Sequence, residues 1–205
     1  MFDSRLRPLI DPFLNAIGRR LAAQGIEANA VTLAGLFPAL AGAVAISQGH
    51  HLAGLGFVLI NRLLDGVDGA VARANGSTDF GGYLDALADY VFYIAVPVAF
   101  GLDSADNVLP ALLLVASFTL TCASFLGFAA IAGKRGVETS DHGAKSFYYS
   151  TGLAEGAETI AAFVAMCLWP THFPALAIGF AAFCLLTVAQ RSLFARQVFG
   201  DPSEK

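Results

Sequence analysis

Six stretches of this chain are each long and apolar enough to cross a hydrocarbon layer of ~30 Å, and they constrain the fold more than any other feature. They run from Val31 to Gln48, His51 to Arg73, Phe80 to Gly101, Val108 to Gly133, Gly152 to Trp169 and Phe173 to Phe194. Short polar breaks at Gly49-His50, Asp103 to Asn107 and Pro170-Thr171 separate alternate pairs. The expected fold is an all-α integral membrane protein of six transmembrane helices. Of 205 residues, 56% are hydrophobic and only 14% are charged, against about 25% charged in an ordinary soluble domain. So much apolar surface excludes disorder. The 17 Phe and 21 Gly suit lipid-facing surfaces and close helix contacts. A net charge of −4 gives no support to nucleic-acid binding.

The first thirty residues are not expected to be a signal peptide, because Pro8, Asp11 and Pro12 follow Arg5 and Arg7 without a continuous apolar region. From Pro12 to Gln24 the apolar residues Phe13, Leu14, Ile17 and Leu21 recur at helical spacing, with Arg19 and Arg20 on the polar side. This predicts an amphipathic helix lying on the membrane surface, the alternative being a short helix packed on the protein. The domain reading is an amphipathic juxtamembrane segment over 1–30, a six-span membrane domain over 31–195 and a polar tail over 196–205. The only long connection, Lys134 to Ser150, is charged and expected to carry function or regulation.

Basic residues cluster on alternate connections. Arg5, Arg7, Arg19 and Arg20 precede the first span. Arg73, Lys134, Arg135 and Lys145 border the second-third and fourth-fifth connections, and Arg191, Arg196 and Lys205 come last. The positive-inside rule then puts both termini and these two connections on the cytoplasmic face, in what would be a bacterial inner membrane. Cys122, Cys167 and Cys184 lack metal-like spacing and read as packing residues. His50, His51 and His172 fall on the opposite face and are assigned no chemistry.

Six acids lie inside or at the mouths of apolar stretches: Asp65, Asp68, Asp85, Asp89, Glu155 and Glu158. Setting them and the intramembrane Arg62 aside leaves ten acids against eleven bases. The acidity is therefore concentrated in the membrane, where each mid-span Asp costs on the order of 3 kcal/mol unless partnered. Asp65 and Asp68 are three apart on the second span, and Asp85 and Asp89 are four apart on the third, so each pair shares a helix face. Asp68 and Asp85 lie at matched depth, ~8 Å from the connection between their spans, with Asp65 and Asp89 roughly a turn deeper. Divalent cations, Mg²⁺ or Mn²⁺, would compensate such hard oxygen ligands, with phosphate completing the shell. Proton relays and ion sites of cation- or proton-coupled transporters use intramembrane acids too. Spacing alone leaves both readings open.

The run Asp65-x2-Asp68-Gly69-x2-Ala72-Arg73, then seven residues, then Gly81-x3-Asp85-x3-Asp89 resembles the signature of the CDP-alcohol phosphotransferase (phosphatidyltransferase) family of membrane enzymes. The family usually has eight residues before the Gly. Gly82 would restore that count, but it would put Ala86 and Tyr90 where carboxylates belong. Asn29 and Thr32 match a Pro-Asn-x2-Thr pattern frequent before the first span, with Ala28 in place of the Pro. The resemblance implies that Asp65, Asp68 and Asp85 bind metal, two Mg²⁺ or Mn²⁺ ions in all. Asp89 would deprotonate the acceptor alcohol and also touch metal. Asp65, Asp68, Gly69, Ala72 and Arg73 would line the CDP site. Gly69 and Ala72 would let a flat base approach the helix, and Arg73 would hold the pyrophosphate by charge-assisted bonds.

The implied reaction is transfer of a phosphatidyl group from a CDP-alcohol, CDP-diacylglycerol foremost, to an alcohol with release of CMP, in phospholipid synthesis. Lys134 and Arg191 point to a phosphorylated acceptor, with glycerol 3-phosphate expected slightly ahead of inositol phosphate, and serine as a further alternative. Membrane lipids are the expected surroundings, and a homodimer is allowed. Gly152-x3-Gly156 reads as a close-packing pattern. Glu155 and Glu158 are expected to bond polar groups of neighbouring helices more than to act on substrate.

Overall fold

The computed structural model describes residues 3–135, 154 and 156–200, with side chains from residue 10 onward. Among the described residues the chain forms α1 (Asp3–Ala23), α2 (Ala28–Ser47), α3 (His51–Asn75), α4 (Asp79–Asp103), α5 (Val108–Lys134), α6 (Gly156–Leu168) and α7 (Phe173–Phe199), and no strand. By length and composition, α2, α4, α5 and α7 can each cross a membrane. Two of the six predicted spans do not meet that measure. α3 has the length, at 25 residues, but carries Arg62, Asp65, Asp68 and Arg73. α6 is described over only 13 residues, and Gly152, at the start of its predicted span, lies outside the described residues.

The helix ends follow local rules. Gly25 and Gly49 both adopt φ +78°, the left-handed conformation that glycine tolerates best. Each lets the next amide turn back into the helix: Ile26 N–H to Leu21 O and His50 N–H to Ala45 O, the Schellman closure. At the start of α4 the Thr78 hydroxyl accepts from the Gly81 amide at 3.0 Å, capping the helix. Only residues 76–78 join α3 to α4, and both helices pack on α2 more than on each other.

Packing explains why small residues recur. The buried strip of α2 is Val31, Thr32, Gly35, Pro38, Ala39, Gly42 and Ile46, and this face lies against α3 and α4. Its opposite side leaves Leu33, Phe37, Leu40 and Val44 exposed, as a lipid-facing surface requires. α5 packs on α4 and α7. Between them runs an aromatic core in which Phe92 meets Phe163 edge-on at 5.5 Å and Phe100 stacks on Phe173 at 4.4 Å. Cys167 and Cys184 are buried and unbridged, as packing residues should be.

The N-terminal helix is longer than the Pro12 to Gln24 segment expected from periodicity. Its Leu14 is buried with Val67, Ala70 and Val71 of α3, and Ile17 and Leu21 pack beside them. The fit is close: a Cβ on Gly18 would stand 2.6 Å from that of Ala70, and one on Gly66 2.7 Å from Leu14 Cδ1. Much of the apolar face of α1 is therefore covered by protein, while Ile10 and Phe13 remain exposed.

Candidate functional site

The α3–α4 pair brings the four aspartates of the motif to one place. Asp65 and Asp89 both reach Arg62 Nη1 and lie within electrostatic reach of each other. Asp68 lies within electrostatic reach of Asp65, Asp85 and Asp89, and Asp85 of Asp89. Counted from the helix ends at Asn75 and Asp79, Asp68 and Asp85 lie ~10 Å along their helices, and Asp65 and Asp89 ~15 Å. Exposure differs across the cluster: Asp68 is buried, Asp65 and Asp89 are partly buried, and Asp85 is exposed.

Two side chains hold three of the carboxylates. Thr32 of α2 donates its hydroxyl to Asp68 Oδ2 at 2.7 Å. Arg62, one turn before Asp65, places Nη1 2.9 Å from Asp89 Oδ1 and 3.6 Å from Asp65 Oδ1. The far side of its guanidinium donates from Nε and Nη2 to Asn61 Oδ1. Asn61 in turn donates to the Gly35 carbonyl at 2.9 Å. The guanidinium lies over the Phe92 ring, 4.1 Å from its centroid, a cation–π contact. One cation thus faces four carboxylates within this cluster. Their oxygens are hard ligands of the kind Mg²⁺ and Mn²⁺ take, and in donor chemistry and surplus negative charge the cluster fits such an ion. Among the described residues, however, no three His, Cys, Asp or Glu side chains are already gathered closely enough to hold one. Asp65 and Asp89 are turned to Arg62 instead.

The surroundings of the cluster are specific. Arg73 is exposed at the end of α3 and donates from Nε and Nη2 to Asn15 Oδ1 of α1, at 3.3 and 3.0 Å. A Cβ on Gly69 would meet only Arg73 Nη1, at 3.4 Å, so the helix surface there is open to an incoming group. The two candidate motif glycines now separate. A Cβ on Gly81 would press on Thr78 Oγ1 at 3.0 Å and Asn29 Oδ1 at 3.2 Å, whereas one on Gly82 would meet nothing within 4 Å. Asn29 and Thr32, matched from the pattern before the first span, therefore both face the motif, one at Gly81 and the other at Asp68.

Of the residues expected at an acceptor site, Arg191 of α7 donates from Nη1 to the Thr121 carbonyl at 3.0 Å and the Ser124 hydroxyl at 2.8 Å. It also lies within electrostatic reach of Tyr90, the neighbour of Asp89 in α4. Lys134 is exposed in the last turn of α5. Arg135 closes the ends of α5 and α7 by donating to the Phe199 carbonyl. Lys145 and Glu155 lie outside the described residues. Glu158 stands in the first turn of α6, and a Cβ on Gly156 would meet nothing within 4 Å, so the close contacts expected of that glycine are found at Gly18 and Gly66 instead.

Sequence reasoning gave Asn15 and Asn61 no part, and Arg62 only the part of a lone charge. Their signal was the cost of a polar side chain in an apolar run, but which group each would meet depends on helix register. His51, to which no chemistry was assigned, pairs with Asp103 Oδ2 at 2.9 Å and stacks on Phe100.

The family model for CDP-alcohol phosphatidyltransferases matches residues 26–194. The chain is 42% identical to the inner membrane protein YnjF of Escherichia coli strain K12 over 192 residues, covering 93% of each. It is 40% identical over 88 residues to an archaetidylinositol phosphate synthase of Pyrococcus horikoshii, covering 42% of this chain and 46% of that one. Two crystal structures of the Mycobacterium tuberculosis phosphatidylinositol phosphate synthase PgsA1 share the fold at 23% identity. The one with CDP-DAG bound has a TM-score of 0.71, covering 89% of this chain and 93% of that one. The one with manganese and citrate has a TM-score of 0.68, covering 92% and 90%. Together with four helices able to cross a membrane, these likenesses make the chain an integral membrane protein.

Proposed function

The chain belongs to the CDP-alcohol phosphatidyltransferase family, and from that premise we propose that it transfers a phosphatidyl group from CDP-diacylglycerol to a phosphorylated polyol, releasing CMP. The observation that carries this reading is the convergence of Asp65 and Asp68 with Asp85 and Asp89 across one helix pair, with Arg73 at its rim. Arg73 would exchange Asn15 for the donor's pyrophosphate, a charge-assisted bond stronger than the neutral one it leaves. The open surface at Gly69 and Ala72 would admit the cytidine. Asp65, Asp68, Asp85 and Asp89 would hold Mg²⁺ or Mn²⁺, which neutralises charge on the pyrophosphate as the leaving phosphate develops it. Asp89 would take the proton of the acceptor hydroxyl. The oxygen so freed attacks the phosphorus distal to cytidine, the bond from that phosphorus to the bridging oxygen breaks, and CMP carries away the electron pair.

Glycerol 3-phosphate, the acceptor favoured from sequence, finds no support among the relatives. The named ones are synthases of archaetidylinositol phosphate and phosphatidylinositol phosphate, so inositol phosphate is the acceptor we propose. Arg191, beside Tyr90, would bind its phosphate, with Lys134 nearer the rim. The same reading has six crossings by α2 to α7, with α1 against α3 at the cytoplasmic surface and the site open to that side. The test is to incubate the purified full chain with CDP-diacylglycerol, Mg²⁺ and inositol phosphate, glycerol 3-phosphate or serine in turn. We expect CMP and a new lipid with inositol phosphate, and no turnover after EDTA. No CMP with any acceptor overturns the activity. CMP with glycerol 3-phosphate or serine alone overturns the acceptor.

A further inference from the structure

Arg62 is held more firmly than charge compensation requires. An arginine that only offsets buried acids would leave part of its fork to water or lipid headgroups, as intramembrane arginines near helix ends do by snorkelling. Here the side chain is 11% exposed and is gripped from three sides. Nη1 faces Asp89 at 2.9 Å and Asp65 at 3.6 Å. Nε and Nη2 are bonded to Asn61 Oδ1 at 2.9 and 2.7 Å, and Asn61 is itself tied to the Gly35 carbonyl of α2. The plane is closed by Phe92. The shallow carboxylates differ: Asp68 is held by the neutral hydroxyl of Thr32, and Asp85 is exposed. The cluster is thus divided into a deep half bonded to a built-in cation and a shallow half that this cation does not bond, reaching Asp85 only through space.

We propose that Arg62 is a positioning residue of the site, which orients Asp89 for proton transfer and, by neutralising the deep half, directs the first divalent cation to Asp68 and Asp85. The proposal rests on the phosphatidyl-transfer reading for its kinetic part only, because ion binding can be read without turnover. A fixed guanidinium works against a divalent cation nearby. Taking it away also leaves Asp65 and Asp89, which stand 3.6 and 2.9 Å from its Nη1, as two carboxylates that then attract an ion. Loss of a merely structural residue would loosen the site and weaken ion binding, so the sign of the change separates the two roles.

The experiment measures Mn²⁺ affinity by electron paramagnetic resonance on the purified full chain, beside kcat and KM, with thermal unfolding to confirm folding. Arg62→Gln is expected to bind Mn²⁺ at least about tenfold more tightly, as removal of a unit charge this close implies. Its kcat should fall about a hundredfold as Asp89 loses orientation, with the KM for CDP-diacylglycerol little changed. Arg62→Lys keeps the charge but not the planar fork. It should retain wild-type Mn²⁺ affinity while kcat falls, and it carries the test if Arg62→Gln does not fold. Unchanged or weaker Mn²⁺ binding in folded Arg62→Gln overturns the proposal, as does full kcat in Arg62→Lys. If the wild type releases no CMP, the activity reading falls, and the Mn²⁺ comparison still decides the role of Arg62.

Discussion

Two junctions between α3 and α4 are built alike and finished differently. Each joins a base on α3 to an acid on α4 at 2.9 Å: His51 to Asp103 at one end of the helices, Arg62 to Asp89 near their middle. At the first junction the pairing is local and complete. One carboxylate meets one imidazole, the ring stacks on Phe100, and Phe100 stacks on Phe173. At the second junction one guanidinium serves Asp89 and Asp65, while Asp68 and Asp85 lie nearby without a bond to it. Hydrogen bonds alone serve the first junction, whereas the surplus of negative charge at the second calls for a cationic ligand. The same device therefore acts as a clasp in one place and as part of a site in the other.

The sharpest way to break that distinction is to alter the acid at each junction. Asp89→Asn is expected to lower kcat by about 10²–10⁴-fold, the usual contribution of a positioned general base, while thermal stabilisation by CDP is largely kept. Near-normal turnover in this variant would remove Asp89 from the mechanism. Asp68→Asn and Asp85→Asn act one step earlier, on ion binding. Each should weaken metal-dependent CDP binding by at least the roughly 10–100-fold that loss of an outer-shell partner costs. Full activity of the wild type in EDTA would show that the surplus charge serves something other than a divalent ion.

The acid cluster was legible in the sequence because helical periodicity is enough to put residues three or four apart on one face. A tight connection then brings two such faces together. What was not legible depended on register between helices. From spacing, Arg62 belongs to Asp65, three residues on, yet its shorter contact is to Asp89 in the next helix. Arg73 and Asn15 meet across 58 residues of chain, which no local pattern encodes. The leader shows the same limit. Its apolar spacing predicted a helix lying on the membrane surface, with packing on the protein as the alternative, and only the fit of Gly18 on Ala70 and Leu14 on Gly66 identifies α3 as a cover for part of that face. Carboxylate spacing already favoured Gly81 over Gly82, whereas the close approach of Gly81 to Asn29 and Thr78 is packing that counting does not give.

Arg191 sharpens the comparison from outside the helix pair. Its guanidinium donates to Thr121 and Ser124 of α5 among its contacts, and a phosphate would offer it a stronger, charge-assisted bond than either. Arg191→Ala should raise the KM for inositol phosphate by roughly ten- to a hundredfold, the range for a lost hydrogen bond to a charged group. The KM for CDP-diacylglycerol should move far less. Equal effects on both substrates would mean that Arg191 supports the α5–α7 contact and not the acceptor.

The smallest effect is expected at the clasp. Asp103 lies 14 residues beyond Asp89 on α4, about 21 Å along the helix axis, and its side chain is 21% exposed. Asp103→Asn keeps the shape and an acceptor oxygen for His51 but removes the charge, so any strengthening from an ionised partner is lost. A loss of about 1 kcal/mol corresponds to a fall of roughly 2–4 °C in the unfolding midpoint for a chain of this size, while kcat and both KM values stay within about twofold, since over that distance no charge or packing change reaches Asp89. The pair of measurements is what makes the comparison fragile. A tenfold drop in kcat with an unchanged midpoint would show that the two junctions work as one unit, with the His51–Asp103 contact setting the register on which Arg62 and Asp89 depend.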